Sequence, residues 1–276
     1  MNDKEILKAE KKNQRLNKRN EKAEKKRLEE INHDIINEEK EEKMAPIRQK
    51  YRELNEAPKR SVLEEIGNSV THGVGAIFAI IALILMIQKS DTPLKLASGI
   101  IYGVCMIFMM TMSSLYHAFP YGSTVKRLWR RFDYTSIYLL IGGTFAPLLL
   151  VEWQEIYNYN NFYSNYMGII VFIVQWVLIA TGITLVCIFG PGRIKWVNFP
   201  LYFAIGWSGL MFVPGWLWLD NPNYSLFFMI LGGGIIYTLG MIPFAMNKVK
   251  AAHFIWHFFV LFGALVQFLG IYLFVF

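Results

Sequence analysis

The sequence predicts an all-α integral membrane protein, a bundle of seven transmembrane helices. Three observations support this fold class. Of the 276 residues, 54% are hydrophobic and only 18% are charged. The charges are uneven, because residues 1–60 hold 18 of the 28 Lys and Arg and 14 of the 21 Asp and Glu. The remaining 216 residues contain seven apolar stretches of about 20 residues, the length that crosses the hydrocarbon core as a helix.

The composition divides the chain into two regions. Residues 1–60 form a charged arm, predicted to be disordered or a solvated helix, with a weak coiled coil or attraction to anionic lipid as alternatives. The arm lacks the apolar core of a signal peptide, so we expect it to stay in the cytoplasm. Residues 61–276 form the membrane domain. We predict no nucleic-acid partner and assign no oligomeric state.

The seven stretches are predicted to be helices rather than strands, because lipid cannot satisfy an open strand edge. A membrane β-barrel would show short segments of alternating hydrophobicity instead. The two cysteines lie within apolar runs, which predicts neither a disulfide framework nor a cysteine zinc site. The predicted spans are roughly 67–88, 94–119, 133–151, 166–189, 196–218, 224–246 and 253–276.

Charges in the connections predict the direction of insertion, because cytoplasmic connections carry an excess of Lys and Arg. The second, fourth and sixth connections hold eight basic residues, and the other three hold two. The N-terminus is therefore predicted to be cytoplasmic and the C-terminus extracellular. The first set is Lys126, Arg127, Arg130, Arg131, Arg193, Lys195, Lys248 and Lys250; the second is Lys89 and Lys95, on the side that also holds Glu152, Glu155 and Asp220.

Four ionisable residues fall at cytoplasmic span ends, namely His117, Asp133, His253 and His257. Residues four apart share a helix face, so His253 and His257 can direct both imidazoles to one point, as in helical zinc sites. His117 would complete a set of three. Zn²⁺ with three protein ligands keeps a fourth position for a water that attacks a carbonyl at neutral pH. Several ionisable groups at one membrane depth usually mark a function.

Asp133 and Ser113 are the candidate catalytic residues beside this metal site. Asp133 could ligate the metal directly, or act as the general base toward water. Ser113 lies four residues before His117 on the same helix face, so its hydroxyl could position water or donate to an oxyanion. In the simpler interpretation, the histidines only lie at the membrane interface and Asp133 pairs with Arg130 or Arg131.

His72 is a further candidate with two interpretations. It lies about one and a half turns into the first predicted span and follows Glu64 and Glu65. It could be a fourth metal ligand or a proton carrier. Alternatively, it is a packing histidine that contacts a neighbouring helix.

Four motifs in order resemble the hemolysin III family, the bacterial branch of the progestin and adipoQ receptor superfamily. They are EEIGNSVTHGVG (64–75), SSLYHAFP (113–120), FDYTSIYLLIGGTFAPLLL (132–150) and HFIWHFF (253–259). The resemblance covers residues 60–276 and excludes the arm. It implies a seven-helix fold with a zinc ion near the cytoplasmic side, in a multi-pass protein of the bacterial plasma membrane.

The resemblance also implies site residues and functions. The family's zinc-binding histidines fall on His117, His253 and His257, and its Ser and Asp fall on Ser113 and Asp133. Because eukaryotic relatives are linked to ceramide hydrolysis and hormone reception, our leading hypothesis is a zinc-dependent, ceramidase-like hydrolase of a lipid amide or ester, with a membrane lipid as substrate or ligand. The alternatives are a non-enzymatic sensor of membrane homeostasis with structural zinc, and a cytolytic protein.

Overall fold

A computed structural model of the protein describes residues 3–157, 162–218, 222–246 and 249–276. The chain divides into two compact units after Leu54. The first unit is one long helix, α1 (Asp3–Leu54). Composition alone places the boundary after residue 60, whereas by their contacts residues 55–60 belong to the second unit. Asp220 and Lys248, which entered the count of connection charges, lie outside the described residues.

The described residues of the second unit contain seven helical spans that are long and apolar enough to cross a membrane, which confirms the predicted fold class. The direction of insertion, with a cytoplasmic N-terminus, stays a prediction. The helices are α2 (Val62–Lys89), α3 (Pro93–Ala118), α4 (Thr124–Pro147), α5 (Trp153–Ile156), α6 (Phe162–Phe189), α7 (Lys195–Gly206), α8 (Val213–Trp218), α9 (Tyr224–Ala245) and α10 (Ala252–Phe274).

Two of the spans are interrupted. In the third span, a π turn (Leu148–Glu152) joins α4 to α5 immediately after Pro147. Proline has no backbone N–H to donate, so the regular α-helical hydrogen bonding cannot continue unchanged through this position. In the fifth span, a 3₁₀ turn (Trp207–Phe212) joins α7 to α8. Each interrupted span remains one continuous helical segment, Thr124–Ile156 in the third span and Lys195–Trp218 in the fifth.

The third span begins at Thr124, nine residues before the predicted start at residue 133. The Ser123 side chain accepts a hydrogen bond from the Lys126 backbone N–H and caps the helix. The Lys126 ammonium is fully buried and donates to the carbonyl oxygens of Tyr116 and Phe119 at the end of α3. Buried lysine is tolerated here because those carbonyls would otherwise lack partners. The basic residues predicted for a loop thus lie on a helix.

The third span is the central one. In its apolar segment 78% of the residues are buried, against 22–50% in the other six spans. Around it, α2 packs against both α3 and α10, α3 packs against α4, and α9 packs against α10. The outer helices leave many large apolar side chains exposed, for example Ile77, Val104 and Val174. Such faces suit the lipid of a bilayer. The chain is a multi-pass membrane protein.

Close packing of α3 on α4 depends on Gly143. A Cβ atom added there would lie 2.6 Å from the Cys105 Cβ and 3.4 Å from the Tyr102 Cα. We expect Gly143→Ala to lower the unfolding temperature in detergent, at an overpacking cost of about 1–3 kcal/mol. Gly232→Ala is the matched control, because a Cβ there meets open space. It should change the unfolding temperature little or raise it slightly; equal losses in both variants would contradict this packing.

Candidate metal centre

Three histidines from two helices come together at the end of the bundle where α3 ends and α10 begins. One ligand nitrogen from each of His117, His253 and His257 lies within 4.8 Å of the other two. The three ring centroids are separated by 5.2, 4.8 and 5.1 Å. These residues form a group that could bind a metal ion.

The nitrogens of this group fit a metal. His117 and His257 are 2% and 1% exposed. Within the described part of the chain, His117 Nε2, His253 Nδ1 and His257 Nδ1 are buried without a hydrogen-bond partner. A buried polar atom without a partner is costly, and a metal ion bound by these nitrogens would remove that cost. Imidazole donors suit zinc, although other transition ions also accept them.

Glu65 holds His117 and was not among the predicted site residues. Its Oε2 lies 2.6 Å from His117 Nδ1, and its Oε1 lies 3.1 Å from the buried Lys126 ammonium. Since a carboxylate accepts, we assign the proton to Nδ1, which leaves the Nε2 lone pair free for a metal. The signal in the sequence is periodicity: the buried stripe of α2, which includes Asn68 and His72, extends one step back to Glu65.

Glu65→Gln is therefore expected to weaken zinc binding about 10–100-fold, the usual effect of losing a carboxylate behind a metal-binding histidine. Competition with a fluorescent zinc chelator on the purified full-length protein measures this affinity. Glu64→Gln is the control, because Glu64 lies 3.8 Å from the Arg60 Nε instead. The same affinity for both variants would show that Glu65 does not support the metal.

Ser113 and Asp133 lie together. The Ser113 hydroxyl donates a hydrogen bond to the Asp133 carboxylate. The Arg60 guanidinium lies near enough to interact electrostatically with Asp133, His117 and His253. This shared neighbour places the Ser–Asp pair at the same end of the bundle as the histidine group. The catalytic roles of the pair stay predictions.

The arginines proposed as simple partners of Asp133 have other contacts. Arg130 interacts electrostatically with Asp133, but its guanidinium donates to the carbonyl oxygens of Asn55 and Glu56. Arg131 donates to the carbonyl oxygen of Cys187. Both guanidinium groups therefore bind backbone, and the Ser113 hydroxyl is the side-chain hydrogen-bond partner found for Asp133.

His72 stacks on His257, with ring centroids 3.8 Å apart and ring planes inclined by 22°. It lies outside the group of three ligand candidates. Both its ring nitrogens are buried, and the described residues supply them with no hydrogen bond of normal geometry. This stacking agrees with the interpretation of His72 as a packing residue, which here contacts the His257 ring. The role of fourth ligand or proton carrier stays a prediction.

An apolar cavity of about 150 Å³ lies inside the bundle between α4, α7 and α9. Phe244 and Trp256 line it, and their rings are 5.1 Å apart. The Phe244 ring also lies 5.8 Å from the His253 ring. One end of the cavity therefore abuts the histidine group, and the rest of its wall is largely hydrocarbon and aromatic.

The sequence is similar to one family of known proteins and to two bacterial members of it. The profile of the family described as Haemolysin-III related matches residues 60–268. Hemolysin-3 from Bacillus cereus is 34% identical over 211 residues, 75% of this chain and 90% of the relative. The Hemolysin-3 homolog from Bacillus subtilis (strain 168) is 31% identical over 212 residues, 75% of this chain and 92% of the relative.

A more distant relative comes from an animal. The human Monocyte to macrophage differentiation factor is 25% identical over 219 residues, 78% of this chain and 85% of the relative. The region matched by the family profile contains six of the spans, most of the seventh and the three histidines of the candidate metal centre. The resemblance noted from the four motifs is confirmed, and the chain belongs to the Haemolysin-III related family of membrane proteins.

Proposed function

We propose that the protein is a zinc-dependent hydrolase that cleaves an amide or ester bond in a membrane lipid. The observation that carries this proposal is the set of three buried imidazole nitrogens that lack partners among the described residues. Structural zinc sites usually have four protein ligands, whereas catalytic sites have three and keep one position open. A group of three histidines therefore favours catalysis over a structural zinc in a sensor.

A zinc ion held by His117, His253 and His257 would supply a Lewis acid that polarises a carbonyl and activates water. The protein's own residues supply the rest. Asp133 accepts the proton that water loses and returns it to the departing amine or alcohol. Ser113 orients that carboxylate through its hydrogen bond, or turns its hydroxyl to the developing oxyanion. Glu65 keeps His117 in the tautomer that leaves Nε2 free.

The cavity supports a lipid as the substrate. Its walls are mostly apolar, which suits an acyl chain, and Phe244 connects the wall to His253. An acyl chain that passes from the bilayer into this cavity moves between two apolar environments, so its transfer costs little and the cavity can position part of the chain near the site. The chain would enter from the bilayer, between helices.

Lipid turnover by the full-length protein tests the proposal. The protein is reconstituted in liposomes, stripped of metal with a chelator and restored with zinc. Ceramides and phospholipids are offered together, and released fatty acid is followed by mass spectrometry. We expect release only after zinc is restored. Failure of the zinc-loaded protein to hydrolyse any of these lipids would overturn the enzyme proposal, and leakage of a trapped dye without hydrolysis would favour cytolysis.

A further inference from the structure

We propose that a basic cleft beside the metal centre binds the phosphate group of an anionic membrane lipid. The cleft has a volume of about 610 Å³ and lies between the start of α2 and the start of α10. Among the described residues that line it, Lys59, Arg60 and Lys250 carry positive charge and Glu64 carries negative charge. The proposal rests on the proposed function, because it names the class of lipid that the same site would receive.

Arg60 is the residue that points most clearly to a ligand. Its side chain is 8% exposed, although arginine is rarely buried without a partner. Its closest carboxylate contact, from Nε to a Glu64 oxygen, is long at 3.8 Å. The NH1 atom is buried and has no hydrogen bond to any described residue. A guanidinium in this state retains donors for an oxyanion, which it binds in a planar, two-point geometry.

The backbone adds positive potential to the same cleft, because two long helices begin there. At α2, the Ser61 side chain caps the helix by accepting from the Glu64 N–H. At α10, Ala251 adopts a left-handed conformation (φ 59°), and within the described residues no side chain caps the helix. The first N–H groups of a helix have no acceptor in the helix itself. An anion at this end is stabilised by those groups and by the helix dipole.

The rim of the cleft favours a lipid as the source of the phosphate. Leu63, Met246 and Val249 line the cleft and are 82%, 44% and 50% exposed. Apolar side chains around a basic centre match the interface between acyl chains and head groups. His253 lines the cleft and also belongs to the histidine group. A phosphate held at Arg60 would therefore place the adjoining part of the lipid beside the metal centre.

Calorimetric titration of the full-length protein in detergent tests the cleft without any chemical step. The probes are dioctanoyl phosphatidic acid, dioctanoylglycerol, which lacks the phosphate, and inorganic phosphate. We expect binding of phosphatidic acid, none of dioctanoylglycerol, and affinity for inorganic phosphate at least about tenfold weaker. Equal affinity for phosphatidic acid and inorganic phosphate would overturn the lipid assignment.

Substitutions locate the binding. Arg60→Gln is expected to weaken phosphatidic acid binding at least about tenfold, because charge-assisted hydrogen bonds to phosphate are lost. Lys250→Gln, at an exposed position, should weaken it about two- to fivefold and leave the unfolding temperature unchanged. The control Arg193→Gln removes a basic residue at the same end of the bundle but outside the cleft, and should change affinity less than twofold. Unchanged affinity in both cleft variants would overturn the proposal.

Parallel measurement of lipid hydrolysis separates this proposal from the proposed function. Phosphatidic acid binding that depends on Arg60, without hydrolysis of any lipid, supports the cleft and overturns the hydrolase. If the rate of hydrolysis is the same for lipids with and without a phosphate group, and is unchanged in Arg60→Gln, the result supports the hydrolase and overturns the cleft as a head-group site.

Discussion

Replacing His257 with Ala is expected to lower the zinc content of the purified protein from about one ion per chain to less than about a tenth of that value, because two remaining histidines cannot hold the ion at micromolar zinc. Lipid hydrolysis should fall with the metal. The physical reason is the geometry of the group: His257 is buried, and its ring lies 4.8 Å from that of His117 and 5.1 Å from that of His253. Inductively coupled plasma mass spectrometry measures the metal.

His33→Ala is the matched control for this loss. His33 lies on α1, in the other unit of the chain, and its side chain is 75% exposed. Its removal should leave the zinc content unchanged. Thermal unfolding of both variants, with and without added zinc, shows whether the fold survives. A His257→Ala protein that keeps its full complement of zinc would rule out the three-histidine centre.

Asp133→Asn is expected to abolish most lipid hydrolysis while the protein keeps its zinc, whereas His257→Ala loses both. The amide has nearly the shape of the carboxylate and still accepts the Ser113 hydrogen bond, so the fold and the zinc content should persist. An amide cannot take up the proton that water loses, and we expect the rate of lipid hydrolysis to fall about 10²–10⁴-fold. Single-turnover hydrolysis at saturating lipid measures the chemical step.

Asp91→Asn is the corresponding control, because Asp91 lies in the connection between α2 and α3 and pairs with Lys95 at 3.3 Å. It should hydrolyse lipid at the normal rate. Loss of zinc from Asp133→Asn would instead identify Asp133 as a metal ligand, the alternative left open by the sequence. Normal hydrolysis by Asp133→Asn would remove this residue from the mechanism.

Much of the architecture could be predicted, because its signals are local. Apolar stretches of about 20 residues identify the seven spans from length and hydropathy alone. The histidine group could be predicted because alternating spans bring every second connection to one side of the bundle. His253 and His257 share a helix face, and His117 ends a span on that side. Depth and spacing thus gave the three residues without any knowledge of their contacts.

The parts that were missed depend on contacts between helices. Lys126 carries a charge, which favoured a loop, but its ammonium satisfies the end of α3 and the Glu65 carboxylate. In the sequence Glu65 is only a neighbour of His72, and its bond to His117 joins residues 52 positions apart. Composition assigns Arg60 to the charged arm, whereas its contacts lie in the second unit. Hydropathy treats each of these residues as polar, and it cannot show which charges are buried with partners.

The division of the three histidines between α3 and α10 has a consequence for biosynthesis. His117 lies on the second span and the other two on the seventh, so His253 follows His117 by 136 positions. At about 5–20 residues per second, translation takes roughly 7–27 s to cover that interval. A nascent chain that has not yet inserted α10 offers one of the three imidazoles, so a metal ion at this centre would be held only after α10 is in place. Metal binding would then mark the point at which α3 and α10 have come together.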